Sequence, residues 1–295
     1  MAGKIQIPDE LKKDLPQSKW GKILSSTPIV MTVIATMLAG LASSEMTKAQ
    51  YDRAYAAQLQ SKAGDQWGYF QAKKLRSSLA QNSFDLLAAT AEVPTLTAAN
   101  LPGAGEATVN ALVHGEMPVA KPAVFAEDVK AALTALESSQ DENAIAQKLA
   151  VIKPPALKAA LTDAKNAADA FDMATKPINK DSDRLDAELM KGDKSVFRGF
   201  SAARLRYNAT RYDSEARLNQ SIANIYELQV RQNNISAEKH HNRSKNFFFG
   251  MLAAQLAVIV STFAIAARNK SLLWSLAAAA GAAAVCFSLY VYLRV

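Results

Sequence analysis

Apolar residues in this chain fall into three unbroken blocks and two long, sparse stripes. Residues 23–44 carry no charged side chain over 22 positions, residues 247–267 none over 21, and residues 271–293 none over 23. A helix crosses the hydrocarbon core of a bilayer with about 20 residues, so each block predicts a transmembrane helix. The first block exceeds the ~7–15 apolar residues of a signal peptide. Two further spans follow it, and it reads as an uncleaved anchor.

Proline placement maps the region between the spans. Prolines stand at 94, 102, 118, 122, 154, 155 and 177, with none from 29 to 93 and none after 177. An interior proline removes a hydrogen-bond donor and clashes with the preceding turn, so the two proline-free tracts predict long helices. One continues from the first span to about Thr90; the other starts near Lys194 and feeds the second span. At 1.5 Å per residue the arms 45–92 and 195–246 reach about 70 and 80 Å, which predicts an antiparallel stalk. Ala56, Leu59, Ala63, Trp67 and Phe70 form a helical stripe on the first arm. Phe200, Ala203, Tyr207, Ala216, Ala223 and Tyr226 form one on the second, without strict heptads. Between the arms, loop chemistry at Pro102-Gly103-Ala104-Gly105 and at 117–122 precedes short helices at 126–138, 141–151 and 154–175. This segment is small and polar, and is expected to pack on the ends of the stalk or on a neighbouring subunit.

The pattern therefore predicts an all-α membrane protein: three transmembrane helices, a long antiparallel helical stalk and a small helical distal cap. Its divisions are a tail at 1–22, a span at 23–44, an outgoing stalk helix at 45–93 and a membrane-distal cap at 94–177. A returning stalk helix at 178–246 and spans at 247–267 and 271–293 complete it.

Composition narrows the chemistry. Gly and Pro together number 22 and aromatics make up 7%, too few turns and too little ring content for an all-β fold. The single cysteine excludes a disulfide framework and a multi-cysteine metal site. The net charge is +7, but residues 45–246 hold 26 basic and 24 acidic side chains. The remaining excess lies in short segments beside the spans, so it speaks for topology rather than a nucleic-acid partner. Short-loop Lys and Arg favour the cytoplasm. Lys4, Lys12, Lys13, Lys19 and Lys22 and the hairpin Arg268-Asn269-Lys270 would lie there, placing 45–246 on the opposite side. Lys239, Arg243 and Lys245, beside the second span, argue the other way.

The stretch Asp65-Gln66-Trp67-Gly68-Tyr69-Phe70-Gln71-Ala72-Lys73, on the helix after a first span, resembles the hallmark of the bacterial domain-of-unknown-function family 4337. The layout from Tyr207 to Leu293, with its basic hairpin followed by Trp274, resembles that family too. Phe70 stands where a second tyrosine is expected, and the 94–176 insert is longer than usual. The resemblance implies a bacterial envelope protein with this architecture and carries no established activity. Localisation is therefore expected in the bacterial inner membrane, with 45–246 periplasmic.

No cofactor and no enzymatic chemistry are expected. Glu238 and His241 have the Glu-x-x-His spacing of di-iron bundles, but no second such pair lies on the long helices. No nucleophile, phosphate-loop or paired-carboxylate signature accompanies them. Arg204, Arg206, Tyr207, Arg211 and Tyr212 mix base and ring as single-strand binders do, yet Asp213, Glu215 and Glu227 interleave with them. A solvated, ion-paired face is the expected reading, with no nucleic acid bound.

Candidate functional residues are therefore contacts. Ala35, Ala39 and Ser43, then Ala253, Ala257 and Ser261, then Ala277 and Gly281 repeat small side chains at every fourth position, which lets helices approach closely in lipid. Gln255 is the strongest polar group within a span. Trp67, Tyr69 and Phe70 are the expected stalk contacts. The expected partners are membrane lipid, further copies of the chain, and a protein partner that the sequence does not identify. The function expected is a self-associating scaffold or partner-binding element. The alternatives are an extracytoplasmic sensor that signals through a separate partner, and a channel subunit, for which Thr32, Thr36 and Gln255 make a poor pore lining.

Overall fold

The computed structural model describes residues 19–266 and 270–294, with side chains described for 26–264 and 273–291. The tail 1–18 and the hairpin residues Arg268 and Asn269 lie outside the described residues, so the charges assigned to topology there have no structural counterpart. Among the described residues seven α-helices follow in chain order: α1 Lys19–Thr90, α2 Glu106–Val109, α3 Glu127–Glu137, α4 Glu142–Val151, α5 Pro154–Leu189, α6 Lys194–Ala266 and α7 Lys270–Arg294. No strand occurs among the described residues. The helices α1, α6 and α7 are each long and apolar enough to cross a membrane. The fold is all-α, as the sequence predicts.

Local chemistry explains the starts of α4 and α5. Asp141 caps α4 by accepting from the Ala144 amide at 2.6 Å. Pro154 and Pro155 open α5, where the first turn has no donor to lose. The helix α1 ends at Thr90 and α6 begins at Lys194. Gly199 lets the 91–97 segment lie against α6, because a Cβ there would sit 2.8 Å from the Pro94 carbonyl oxygen.

The expected break at Pro177 is absent. Helix α5 runs through it for 36 residues, so the division placed after residue 177 falls inside a helix. Proline in a helix interior costs about 3 kcal/mol. Phe171, Ile178 and Leu185, each almost fully buried on one face of α5, offset that at roughly 1.5–3 kcal/mol apiece.

The described residues fall into two units. The larger, Tyr55–Asn233, has two apolar clusters. In one, Ala56, Leu59 and Ala63 of α1 meet Ile222, Ile225 and Leu228 of α6, Val129 and Leu133 of α3, Ile145 and Leu149 of α4, and Leu157 of α5. In the other, Phe200 and Tyr207 of α6 meet Ile178 and Leu185 of α5 and Leu96, Leu101 and Leu112 of the connecting segment. The helices at 127–151 thus lie along the flank of the α1–α6 pair, against 56–63 and 222–230, and not on the ends at Thr90 and Lys194. Helix α5 contributes to both clusters, with Leu157, Ala160 and Ala164 in the first and Ile178 and Leu185 in the second. The 127–152 segment does not hold its core alone: α1, α5 and α6 supply the rest of the first cluster.

The 106–116 segment, for which the sequence predicts no element, contains α2 and a π-turn at Asn110–His114, closed by Gly115 at φ 72°. Its anchor is distant in sequence. Asp181 accepts from the Gly105 amide and the Thr108 hydroxyl, each at 2.9 Å. Arg184 donates to the carbonyls of Pro102 at 3.1 Å and Gly103 at 2.9 Å. Those two bonds to Asp181, foremost that from Gly105, hold its carboxyl below its ordinary pKa.

The smaller unit contains the three spans. Leu38 and Ala42 of α1 pack on Phe247 of α6 and Val291 of α7, and Ala35 on Ala254 and Ala284.

Candidate functional site

In the larger unit the charged side chains of α1 and α6 pair with each other. Trp67 Nε1 donates to Glu227 at 2.6 Å, with its ring edge-on to Phe70 at 5.4 Å. Both rings are half-buried, whereas Tyr69 is exposed. Lys73 pairs with Glu215, which also accepts from Arg211 at 3.3 Å. Lys74 and Arg217 both reach Asp213, at 2.5 and 2.9 Å. The Tyr212 ring lies 4.2 Å from Arg211, 5.3 Å from Lys73 and 5.9 Å from Arg76, so it is a hub of cation–π contacts. Arg204 pairs with Asp183 and Asp186 of α5, and Arg206 lies over Phe84.

The basic and aromatic residues of α6 are therefore ion-paired, but the expectation of a solvated face fails for the residue at its centre. Arg211 has only 13% of its side chain exposed. The acids interleaved in the sequence answer bases on α1 as well as on their own helix, because the two helices lie side by side. Tyr207, buried beside Arg211, donates to Asn179 at 3.0 Å, and its phenol is pushed up to about 12 by that burial.

In the smaller unit a second polar cluster sits just beyond the first span. His240 Nδ1 lies 2.6 Å from Glu45, which also accepts from Lys48 at 2.8 Å. Burial pushes the Glu45 carboxyl up, but the hydrogen bonds and charges of Lys48 and His240 outweigh it and hold it below its ordinary value. Ser244 donates to the Ala42 carbonyl at 2.7 Å. This pairing was not read from the sequence. A Glu at the end of one span and a His seven residues before another was the available signal.

The small-residue positions divide into two groups. Ala35, Ala257, Ser261, Ala277 and Gly281 are buried among the described spans. A Cβ at Gly281 would meet the Met31 thioether at 3.0 Å. Ala39 and Ala253 are half-buried, and Ser43 and Gln255 are exposed. Gln255 lines a groove of about 450 Å³ with Thr32 and Thr36, whose hydroxyls donate to their own helix at 2.8 and 2.9 Å.

Two concavities mark the larger unit. A cavity of about 120 Å³ is lined by His114, Arg206 and Tyr207. A wider groove of about 570 Å³ runs under the Met117–Ala123 loop, floored by Ala164 and Ala167 of α5 and by Ser214, Leu218 and Ser221 of α6. The Glu238–His241 spacing gains no company: Glu238 is exposed, and among the described residues no cluster of three metal-ligating side chains forms.

Residues 20–113 match the model of a family described as Domain of unknown function (DUF4337). It is the family that the Trp67 motif resembles. The DUF4337 match takes in nearly all of α1 and ends at the π-turn, so the likeness noted from Tyr207 to Leu293 falls outside it. No curated protein and no solved structure matches the chain.

Proposed function

We propose that this chain is a non-enzymatic integral membrane protein of the bacterial inner membrane that self-associates and serves as a scaffold or partner-binding element, with 45–246 in the periplasm. The supporting observation is the mutual pairing of α1 and α6: Glu227, Glu215, Asp213, Arg211, Lys73 and Lys74 all hold one another or Trp67. Groups committed to such pairs rigidify a helix pair and are poorly placed to transfer protons or bind anions. A rigid, anchored helix pair suits a protein that works by contact.

The test is particle mass by light scattering in mild detergent. A mass of two or more chains supports self-association, and a mass of one chain removes it. Topology is read separately in a Cys286→Ser background. Ala104→Cys should react with an impermeant thiol reagent in intact spheroplasts, and Asn269→Cys only after lysis.

The groove under Met117–Ala123 favours a second reading, a sensor whose ligand enters there. Its volume falls within the usual range of about 300–1,000 Å³ for ligand pockets. Ser221→Trp would fill it, and a loss of signalling output without loss of helicity would favour the sensor.

A further inference from the structure

Helix α1 carries a second stripe, on the face away from α6. Ala57, Gly68, Leu79 and Thr90 recur at intervals of eleven residues, as do Ser61, Ala72 and Ser83, and Gly64, Leu75 and Leu86. Every one of these ten positions is exposed and none is charged. Eleven residues in three turns is 3.67 per turn, close to the natural helix, so this stripe stays on one side with almost no supercoiling. At 1.5 Å per residue it extends for about 50 Å.

Two observations show that the chain's own fold does not use this face. The three leucines are 61%, 56% and 65% exposed. Gly64 and Gly68 stand in the helix interior, where glycine is destabilising relative to alanine, yet a Cβ at either would find nothing within 4 Å. Gly199 and Gly281, by contrast, have a reason within the chain, in Pro94 and Met31 respectively. Glycines one turn apart on a bare face carry no Cβ, so the backbone of another helix can approach closely there. In the smaller unit, Gly40 of the same helix is bare in the same way.

We propose that this stripe is the interface with a second copy of the chain, α1 against α1 in parallel. The proposal rests on the self-association reading and names its surface. Three features favour a second copy over an unrelated partner. Span and stripe lie on one unbroken helix, so copies inserted in one membrane present identical residues with the same polarity. The stripe matches itself: glycine and alanine meet their equivalents at the close end, and leucines meet leucines toward Thr90. The edges also fit. One edge carries Asp65 and Arg76, the other Gln60, Gln71 and Ser78. In a parallel twofold pair the edge of one helix faces the opposite edge of its partner. Between Ala57 and Thr90 charged side chains therefore face amides and a hydroxyl and no like charges meet; one repeat before Gly64 the register holds Arg53, exposed and charged, which ends the stripe on that side.

The experiment is disulfide cross-linking of full-length protein in membranes, in a Cys286→Ser background. Ala57→Cys, Ala72→Cys and Ser83→Cys lie on the stripe; Lys62→Cys and Gln81→Cys are exposed positions off it. A disulfide requires Cα atoms roughly 4.4–6.8 Å apart, which a parallel twofold pair supplies only along the contact line. The stripe variants should give covalent dimers at roughly five-fold or more the yield of the off-stripe pair. Gly68→Leu meets no obstruction within the chain, so it should keep wild-type helicity and lower the cross-linking of Ala72→Cys. Equal yields at all five positions, or a maximum at Lys62 or Gln81, overturn the assignment. Light scattering separates the two levels of failure: an oligomer without the stripe pattern leaves self-association through another face, while a monomer removes both.

Discussion

The two long helices of the larger unit are covered very differently. Between Phe200 and Val230, α6 exposes only Arg206, Thr210 and Arg217. It has α1 on one side and α3, α4 and α5 on the others, so it is the axis of the unit. From Ala56 to Thr90, α1 is covered along one stripe and bare elsewhere. Their sequences reflect this. The covered helix places Phe200, Ile222, Ile225 and Leu228 in its core and answers its charges with partners, whereas the bare one sets Gly64 and Gly68 facing outward. A helix enclosed by its own chain is committed to the fold, and a helix enclosed on one side keeps a surface for others.

Substitutions should break that contrast in order of burial. Phe200→Ala and Leu228→Ala, at fully buried positions, should each destabilise the larger unit by about 3–5 kcal/mol, seen as a lower midpoint in thermal circular dichroism. Trp67→Ala removes a half-buried ring and its bond to Glu227, and should cost about 2–3 kcal/mol. Trp67→Phe should restore most of that, leaving about 1 kcal/mol for the lost hydrogen bond.

Asp181→Asn should cost about 1–2 kcal/mol, with a pH signature. The folded carboxyl sits below its ordinary pKa. Its contribution is therefore full above the unfolded value near pH 4 and is lost as pH falls through the folded one. Stability measured from pH 6 downward should fall more steeply in wild type than in the variant. Tyr207 titrates the other way. With its phenol pushed up to about 12, stability should decline above the unfolded value near pH 10. Tyr207→Phe should flatten that decline and remove a late step from the absorbance titration of the tyrosines. The smallest effect on folding belongs to the bare face. Leu79→Gln should change the unfolding midpoint by less than about 0.5 kcal/mol equivalent while reducing the mass of the assembled particle.

Much of this architecture is legible in the sequence. Uncharged blocks locate the spans, and the proline-free tracts anticipate the ends of α1 and α6 at Thr90 and Lys194. The continuation of α5 through Pro177 was hidden because proline is a local signal and the burial that overrides it is not. The anchoring of 102–108 by Asp181 and Arg184 was equally hidden, since nothing local joins residues more than seventy positions apart. The inward stripe Ala56, Leu59 and Ala63 was readable, and so in principle was the eleven-residue stripe beside it. Which of two stripes on one helix is covered depends on what packs there, and that required the positions of α3, α4 and α6. The same holds for the spans: Ala257 and Ser43 look equivalent as small residues at four-residue spacing, but one is buried by its own chain and the other is not.

The contrast between the two helices is tested most directly by spin-label accessibility along Ala57 to Thr90, in proteoliposomes and one position at a time. The account predicts two sets of minima. One, at Leu59 and Ala63, marks the face covered by the chain itself; the other, at Ala57, Gly68 and Leu79, marks the face covered by a second copy and disappears when the protein is diluted into excess lipid. Minima at Leu59 and Ala63 alone, with Ala57, Gly68 and Leu79 as accessible as Lys62 at every dilution, would contradict it.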